Sequence, residues 1–320
     1  MKQSHLYGVE YTMSMAAGEM LGYAKWWAGS VFGSKAPLVN TIIIHYGCNL
    51  RCKHCSIFSN DVEGIEDHKL SYQEIADDLK EQYKKGARIA YFEGGEPTTW
   101  SDNGKDLGDL IRTAKEIGYN NVGYTTNGTK KFFTESDVIS VSLDGPKEIH
   151  DTIRGEGVFD MLMENISTAV FSGSIYANMV LQKDNVEYIE ETARIVKENE
   201  KLAGVIFNFI TPPPVELMLS QDEKKAAVEK IKELKKSGYP ILNSKRGLEL
   251  LAEEDWSEKC PYHVTVFLIP GGAHYNGCPM QGTPSCKQCG FAAVREYYLI
   301  KKGSVSTIRE MSSIFAMSKK

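Results

Sequence analysis

The chain has 320 residues, 42% of them hydrophobic, and a formal net charge of −5. That apolar content supports a full core in one large domain, alone or with a small appendage, and the modest acidity excludes a whole-chain electrostatic case for nucleic-acid binding. The first dozen residues lack the charged start and apolar run of a signal peptide, and no stretch reaches about 18 uninterrupted apolar residues, so the expected location is the cytoplasm.

Residues 1–38 precede the first strand pattern as an apolar helical segment. Met13, Met15, Met20, Leu21, Tyr23, Trp26, Trp27, Val31 and Phe32 crowd residues 13–32. A helix of this kind either covers an open bottom or side of the fold or rests peripherally on a membrane. From 39 to 236 short apolar runs alternate with amphipathic ones. Strands are predicted at Val39–Tyr46, Arg88–Phe92, Asn121–Thr125, Val138–Leu143, Ile175–Leu181 and Gly204–Ile210. Helices are predicted at Tyr72–Lys85, Lys105–Ile117, Phe159–Phe171, Val186–Glu198 and Gln221–Lys236, with only Lys130–Glu135 available for a short helix after the third strand. Ser71 precedes Glu74, and Ser220 precedes Glu223, at capping-box spacing. Six βα units in series imply parallel strands with right-handed crossovers, in an open six-stranded barrel or a doubly wound sheet.

Residues 237–320 break the alternation. They carry Cys-rich loops, a strand at Val264–Ile269, a turn at Gly271-Gly272 and a second strand at Tyr297–Ile300, which together read as a small metal-stapled appendage. Beyond residue 289, Arg295, Lys301, Lys302, Arg309, Lys319 and Lys320 face only Glu296 and Glu310, and read as a solvated tail.

Seven cysteines fall into two groups, and in a reducing compartment such spacings favour metal over disulfides. Cys48, Cys52 and Cys55 follow directly on the first strand. Three thiolates on one loop can hold three irons of a 4Fe–4S cube and leave the fourth without a protein ligand, whereas zinc loops supply cysteines in pairs. Cys260, Cys278, Cys286 and Cys289 form a four-thiolate set able to close a site, as an auxiliary 4Fe–4S cluster or a structural zinc. A hairpin around Gly271-Gly272 would bring Cys260 and Cys278 together. Were Cys260 not a ligand, an iron would be open to substrate.

Polar motifs follow the strands. Gly94-Gly95-Glu96-Pro97 lies after the second, Thr125-Thr126-Asn127-Gly128 at the third, and Ser142-Leu143-Asp144-Gly145-Pro146 at the fourth, with His150-Asp151 and Arg154-Gly155 beyond it. Glycines let backbone carbonyls approach a ligand ammonium, and a guanidinium fork matches a carboxylate. Cys48, Gly94, Asn127 and Asp144 all fall just past strands, where parallel βα barrels place ligands. Four such placements favour a single site.

Cys, three residues, Cys, two residues, Cys after a first strand, with the aromatic His54 before the last Cys, resembles the radical S-adenosylmethionine (SAM) superfamily over roughly residues 40–211. The resemblance implies a partial (β/α)6 barrel, similar to a TIM barrel, with a 4Fe–4S cluster on Cys48, Cys52 and Cys55. It implies that the amino and carboxylate groups of SAM chelate the open iron, and that an electron splits SAM to a 5′-deoxyadenosyl radical. Gly94, Gly95 and Glu96 resemble the motif that holds the SAM amino group, and Asn127 lies in a turn similar to the family's Thr-Asn-Gly. Ser142 and Arg154 match a serine and an arginine that help bind the SAM carboxylate in the subgroup with SPASM or twitch C-terminal extensions.

That subgroup implies at most one auxiliary 4Fe–4S cluster here, on Cys260, Cys278, Cys286 and Cys289, and a reducing partner such as flavodoxin or ferredoxin. The implied work is oxidation or bond formation on a peptide or protein, with a lipid or other small molecule as the alternative. Only 47 residues precede Cys48, few for a separate peptide-recognition domain. A non-catalytic iron–sulfur or zinc protein is the rival from another class, and the motifs after strands two to four speak against it. With all seven cysteines in the two sets, no thiol remains to return a hydrogen atom, which disfavours epimerisation.

Overall fold

The computed structural model describes residues 17–57 and 64–317; Met13 and Met15 lie outside them. Helix α1 (Ala17–Val31) leads into β1 (Val39–Ile43), α2 (Tyr72–Lys85) and β2 (Ile89–Glu93). A two-residue hairpin, β3 (Ser101–Asp102) and β4 (Lys105–Asp106), precedes α3 (Leu107–Ile117), β5 (Asn121–Thr126) and β6 (Val138–Ser142). Then come α4 (Lys147–Arg154), α5 (Val158–Thr168), β7 (Ser174–Leu181), α6 (Ile189–Glu198) and β8 (Leu202–Phe209). The chain ends in α7 (Gln221–Lys236), α8 (Lys245–Leu251), the hairpin β9 (Thr265–Ile269) and β10 (Ala273–Tyr275), α9 (Ala292–Lys301) and α10 (Val305–Met317).

Strands β1, β2, β5, β6, β7 and β8 pair in parallel in that spatial order, and β9 adds in parallel to the other side of β1 with β10 antiparallel at the edge. The six-unit reading holds, and the C-terminal hairpin extends the same sheet. Both expected capping boxes form, Ser71 with Glu74 and Ser220 with Glu223.

Period-two alternation divides the strands into two faces. Ile42, Phe92, Tyr124, Val141, Ala177 and Phe207 point outward and are fully buried beneath the helices, forming the main core. The inner face is polar. The Tyr91 hydroxyl lies 3.3 Å from that of Tyr176, although β2 and β7 are three strand intervals apart. A flat sheet would separate them by about 14 Å, so the sheet curls, and it curls into an open barrel. A second cluster, Trp26, Leu38, Val39, Ile89 and Val264 packed with Tyr23, Tyr91, Tyr297 and Ile300, plugs one end.

Helix α1 belongs to that plug. Trp26 Nε1 donates to Ala36 O and Trp27 Nε1 to Ile300 O, both at 2.9 Å, so both indole N–H groups are bonded within the chain. This is the covering role. None of the described helices is long and apolar enough to cross a membrane.

Four expectations need correction. Residues 130–135 form no helix; Phe132 and Phe133 leave the backbone extended to pack on the core, and the Phe133 N–H donates to the Tyr124 hydroxyl. Tyr297–Ile300 is not a strand but the last part of α9. Its buried positions Ala292, Arg295, Glu296 and Leu299 recur at helical spacing, so tertiary burial overrides the β preference of Tyr and Ile. The basic C-terminal segment is not a solvated tail through 317: it forms α9 and α10, with Arg295 1% exposed. Finally β1 stops at Ile43, because His45 leaves the ladder to bridge Lys69.

Candidate functional site

The loop after β1 is fixed by the end of β2. Gly95 N donates to His45 O and Glu96 N to Gly47 O, each at 2.9 Å. A Cβ at Gly95 would stand 2.0 Å from Gly47 O, and one at Gly94 2.3 Å from His45 O. Only glycines allow the two loops to lie this close, and the contact delivers Cys48 to the rim of the barrel.

Glu96 then ties this pair to the end of β5. Its Oε1 accepts from Thr98 N (3.1 Å), Thr98 Oγ1 (2.7 Å) and Thr126 Oγ1 (2.7 Å), and its Oε2 from Asn127 N (2.6 Å). It is 1% exposed. Burial raises its pKa, against the pull of these donors. Glu96→Gln would set an amide donor against one of them, at a cost of roughly 1–3 kcal/mol. Thermal unfolding should fall accordingly, and an unchanged midpoint would remove this bracing role.

Asn127, so positioned, donates from Nδ2 to Asn49 Oδ1 at 3.0 Å and approaches Cys48 Sγ at 3.9 Å. Asp144, just past β6, is fully buried, and Ser142, the last residue of β6, nearly so. Arg154, at the end of α4, donates from Nε to Asp144 Oδ2 at 2.7 Å, while Nη1 lies 3.8 Å from Cys52 Sγ and Nη2 3.4 Å from His54 Nε2. Burial alone would raise the Asp144 pKa, but Arg154, with His54 and His150, holds it below the ordinary carboxylate value. Burial and then the Arg154 charge push His150 down to about 4, so it is a neutral ring whose Nδ1 accepts the Asp144 N–H.

The structure therefore brings Cys48, Cys52, His54, Gly94, Gly95, Glu96, Asn127 and Arg154 to one rim. Arg154 faces a cysteine sulfur, an arrangement sequence reasoning did not anticipate.

The thiols of each set lie within electrostatic reach of one another. Burial, then Glu96 and the Cys52 and Cys55 thiols, push Cys48 up to about 11 against the Leu50 N–H. Burial, then Cys289, Cys278 and Cys286, push Cys260 up to about 12. Ionising such groups needs a cation, which a metal cluster supplies.

The second set hangs from the end of β8. Phe209 N donates to Gly290 O (2.9 Å), Gly290 N to Thr211 Oγ1 (3.0 Å) and Ala292 N to Asn208 Oδ1 (2.7 Å). Arg295 lies 3.6 Å from Cys289 Sγ through Nη1, donates from Nη2 to Cys289 O at 2.9 Å, and stacks 4.8 Å over Trp256. Both sets thus have a buried guanidinium beside a sulfur and sit past the carboxyl ends of strands. His54 Nδ1, within the first loop, is buried with no hydrogen-bond partner among the described residues. These are the donor types of thiolate-held iron–sulfur clusters, although no three His, Cys, Asp or Glu side chains among the described residues are gathered to hold a single metal ion.

A model of the radical SAM superfamily matches residues 42–196. Residues 42–196 carry the radical SAM domain. Over 177 residues it is 34% identical to the mycofactocin maturase MftC of Mycolicibacterium smegmatis, covering 51% of this chain and 42% of that protein. Over 215 residues it is 31% identical to the Fe-coproporphyrin III synthase of Methanosarcina barkeri, covering 60% and 51%. The chain spans about half the length of these curated relatives. Among solved structures, SuiB of Streptococcus suis bound to its precursor peptide SuiA superposes with a TM-score of 0.59 at 15% identity, over 88% of this chain and 69% of that one, and shares the fold.

Sequence reasoning passed over Glu93, the last residue of β2. Two residues after Tyr91, it shares the inner face, and alternation in Tyr91-Phe92-Glu93 was the available signal. Burial raises its pKa to about 7. A carboxyl raised in the folded state binds more protons there than in the unfolded chain, so its contribution to stability is lost as pH rises from about 4.5 through about 7. Glu93→Gln should therefore gain thermal stability over the natural protein at pH 8 and little at pH 5. An equal difference at both pH values would contradict this.

Proposed function

We propose that this chain is a radical SAM enzyme carrying one auxiliary cluster, acting on a peptide or protein substrate. Cys48, Cys52 and Cys55 would hold the first cluster and Cys260, Cys278, Cys286 and Cys289 the second. When bound, the first cluster with SAM supplies reductive cleavage to methionine and a 5′-deoxyadenosyl radical that takes a hydrogen atom from a substrate C–H bond. The observation that carries this reading is the convergence of two strand ends and one helix end on the cysteine loop: Gly95 and Glu96 on Gly47, Asn127 on Cys48, Arg154 on Cys52.

The protein's part is to bind, orient and screen. Gly94 and Gly95 offer backbone carbonyls to the SAM ammonium, with Glu96 bracing that loop. Ser142 lies beside Asp144 for the SAM carboxylate. Arg154, whose charge is favoured by Asp144 and the Cys52 thiol over the opposing effect of burial, offsets the negative charge of the thiolates.

A flavodoxin or ferredoxin would supply the electron. The peptide reading is supported by MftC being named a maturase and by SuiB having been solved with a precursor peptide. The likeness to an Fe-coproporphyrin III synthase supports a small-molecule substrate as the second reading.

The test is incubation of anaerobically reconstituted protein with SAM and dithionite. Release of 5′-deoxyadenosine and methionine is expected. S-adenosylhomocysteine or methylthioadenosine alone would refute hydrogen-atom abstraction.

A further inference from the structure

Two glutamates flank the Gly94-Gly95 turn, and the fold treats them oppositely. Glu96 receives four hydrogen bonds. Glu93, half-buried on the inner face, has no hydrogen-bond or ion-pair partner for its carboxylate among the described residues, and desolvation is the cause of its raised pKa, with no lysine or arginine to offset it. A carboxylate drawn even partly out of water without donors or a counter-ion is costly. The fold does not use this one.

Its surroundings fit a cation. Tyr91 from β2, Tyr176 from β7 and Tyr297 from α9 are each raised by burial first, with the Glu93 charge contributing to all three, so the carboxylate lies within electrostatic reach of three hydroxyls on three elements. Tyr91 and Tyr176 are bonded to each other, and Tyr91 also to Thr125 Oγ1 at 3.1 Å, which fixes the rings. Aromatic faces attract ammonium and guanidinium groups, and a buried carboxylate completes such a receptor. Because Glu93 immediately precedes Gly94, the receptor opens next to the rim where the cysteine loop lies.

We propose that the inner face of the barrel receives a positively charged group of the substrate, an ammonium or guanidinium, which Glu93 pairs with among Tyr91, Tyr176 and Tyr297. This rests on the reading that the rim carries SAM chemistry. It narrows the substrate to one with a cationic side chain or terminus close to the carbon attacked.

The probes are N-acetyl-lysine methylamide and N-acetyl-arginine methylamide against N-acetyl-norleucine methylamide, which lacks the charge. Binding to the reconstituted protein with SAM present is followed by ligand-observed NMR. The cationic probes should bind about tenfold more tightly, as one charge-assisted contact provides, and Glu93→Gln should abolish that preference while leaving SAM affinity unchanged. In the natural protein the preference should also grow from pH 6 to pH 8. Across that range the facing titratable groups, Tyr91, Tyr176 and Tyr297, stay uncharged, so the change belongs to Glu93.

Equal binding of charged and neutral probes, or a preference that survives Glu93→Gln, overturns the proposal. Loss of SAM affinity in Glu93→Gln also overturns it, because the cation would then be SAM's own. Measuring 5′-deoxyadenosine on the same preparations separates the two readings. No cleavage by the natural protein sinks the enzymatic one, and cleavage without charge preference sinks only this one.

Discussion

Replacing Cys48, Cys52 and Cys55 together by alanine is expected to reduce 5′-deoxyadenosine release to the level of buffer and to halve the iron, from about eight to about four atoms per chain. The fold should survive. The main core lies on the outer face of the sheet, and the three cysteines are only partly buried, at the rim. Arg154 would lose its sulfur neighbour but keep Asp144 at 2.7 Å, so no buried charge is stranded. The Gly95 and Glu96 bonds to the loop run through the backbone and do not need the thiols. Iron analysis, with circular dichroism as the control for folding, checks the expectation. Cleavage of SAM at the natural rate by this variant would refute the assignment of the first cysteine set.

Much of this site was legible because its signals are local. The three-and-two cysteine spacing, the two glycines before Glu96 and the Asn127-Gly128 turn each lie within a few residues of a strand end, where ligand groups of a βα barrel gather. The alternation of six strands and their helices is likewise local, carried by periodicity and by the capping boxes at Ser71 and Ser220.

What escaped the sequence is set by distance along the chain. Nothing in Thr265–Ile269 announces that it pairs in parallel with β1, more than 200 residues earlier. The eight-residue α4 is too short and polar to stand out, yet it carries Arg154 to Cys52. Arg295 looked like one more basic residue near a terminus, because its burial under Trp256 and beside Cys289 depends on α9 folding back onto β8. Glu93 escaped for a related reason. A charged residue at a strand end is ordinarily solvated, and only the curl that brings Tyr176 and Tyr297 toward β2 draws it partly out of water.

The two proposed clusters should be separable by the glycines that seat their loops. Gly290, immediately after Cys289, lies against the end of β8 so closely that a Cβ would stand 1.9 Å from Phe209 O and 2.4 Å from Phe209 C. Both contacts are with backbone at a sheet edge and cannot be relieved by a rotamer change. Gly290→Val should push the loop away, break the Phe209 N–Gly290 O and Ala292 N–Asn208 Oδ1 bonds, and scatter the four thiols. The expected result is about four irons per chain instead of about eight, with reductive SAM cleavage retained because the β1 and β2 loops are untouched. Gly95→Val, whose Cβ would meet Gly47 O at 2.0 Å, should do the converse and remove SAM cleavage while sparing the C-terminal set. Iron and zinc analysis with electron paramagnetic resonance of the reduced proteins distinguishes these outcomes. A natural protein that reconstitutes to about four irons and carries zinc instead would overturn the auxiliary-cluster assignment, and a Gly290→Val protein with the full iron complement would overturn the role given to its seat on β8.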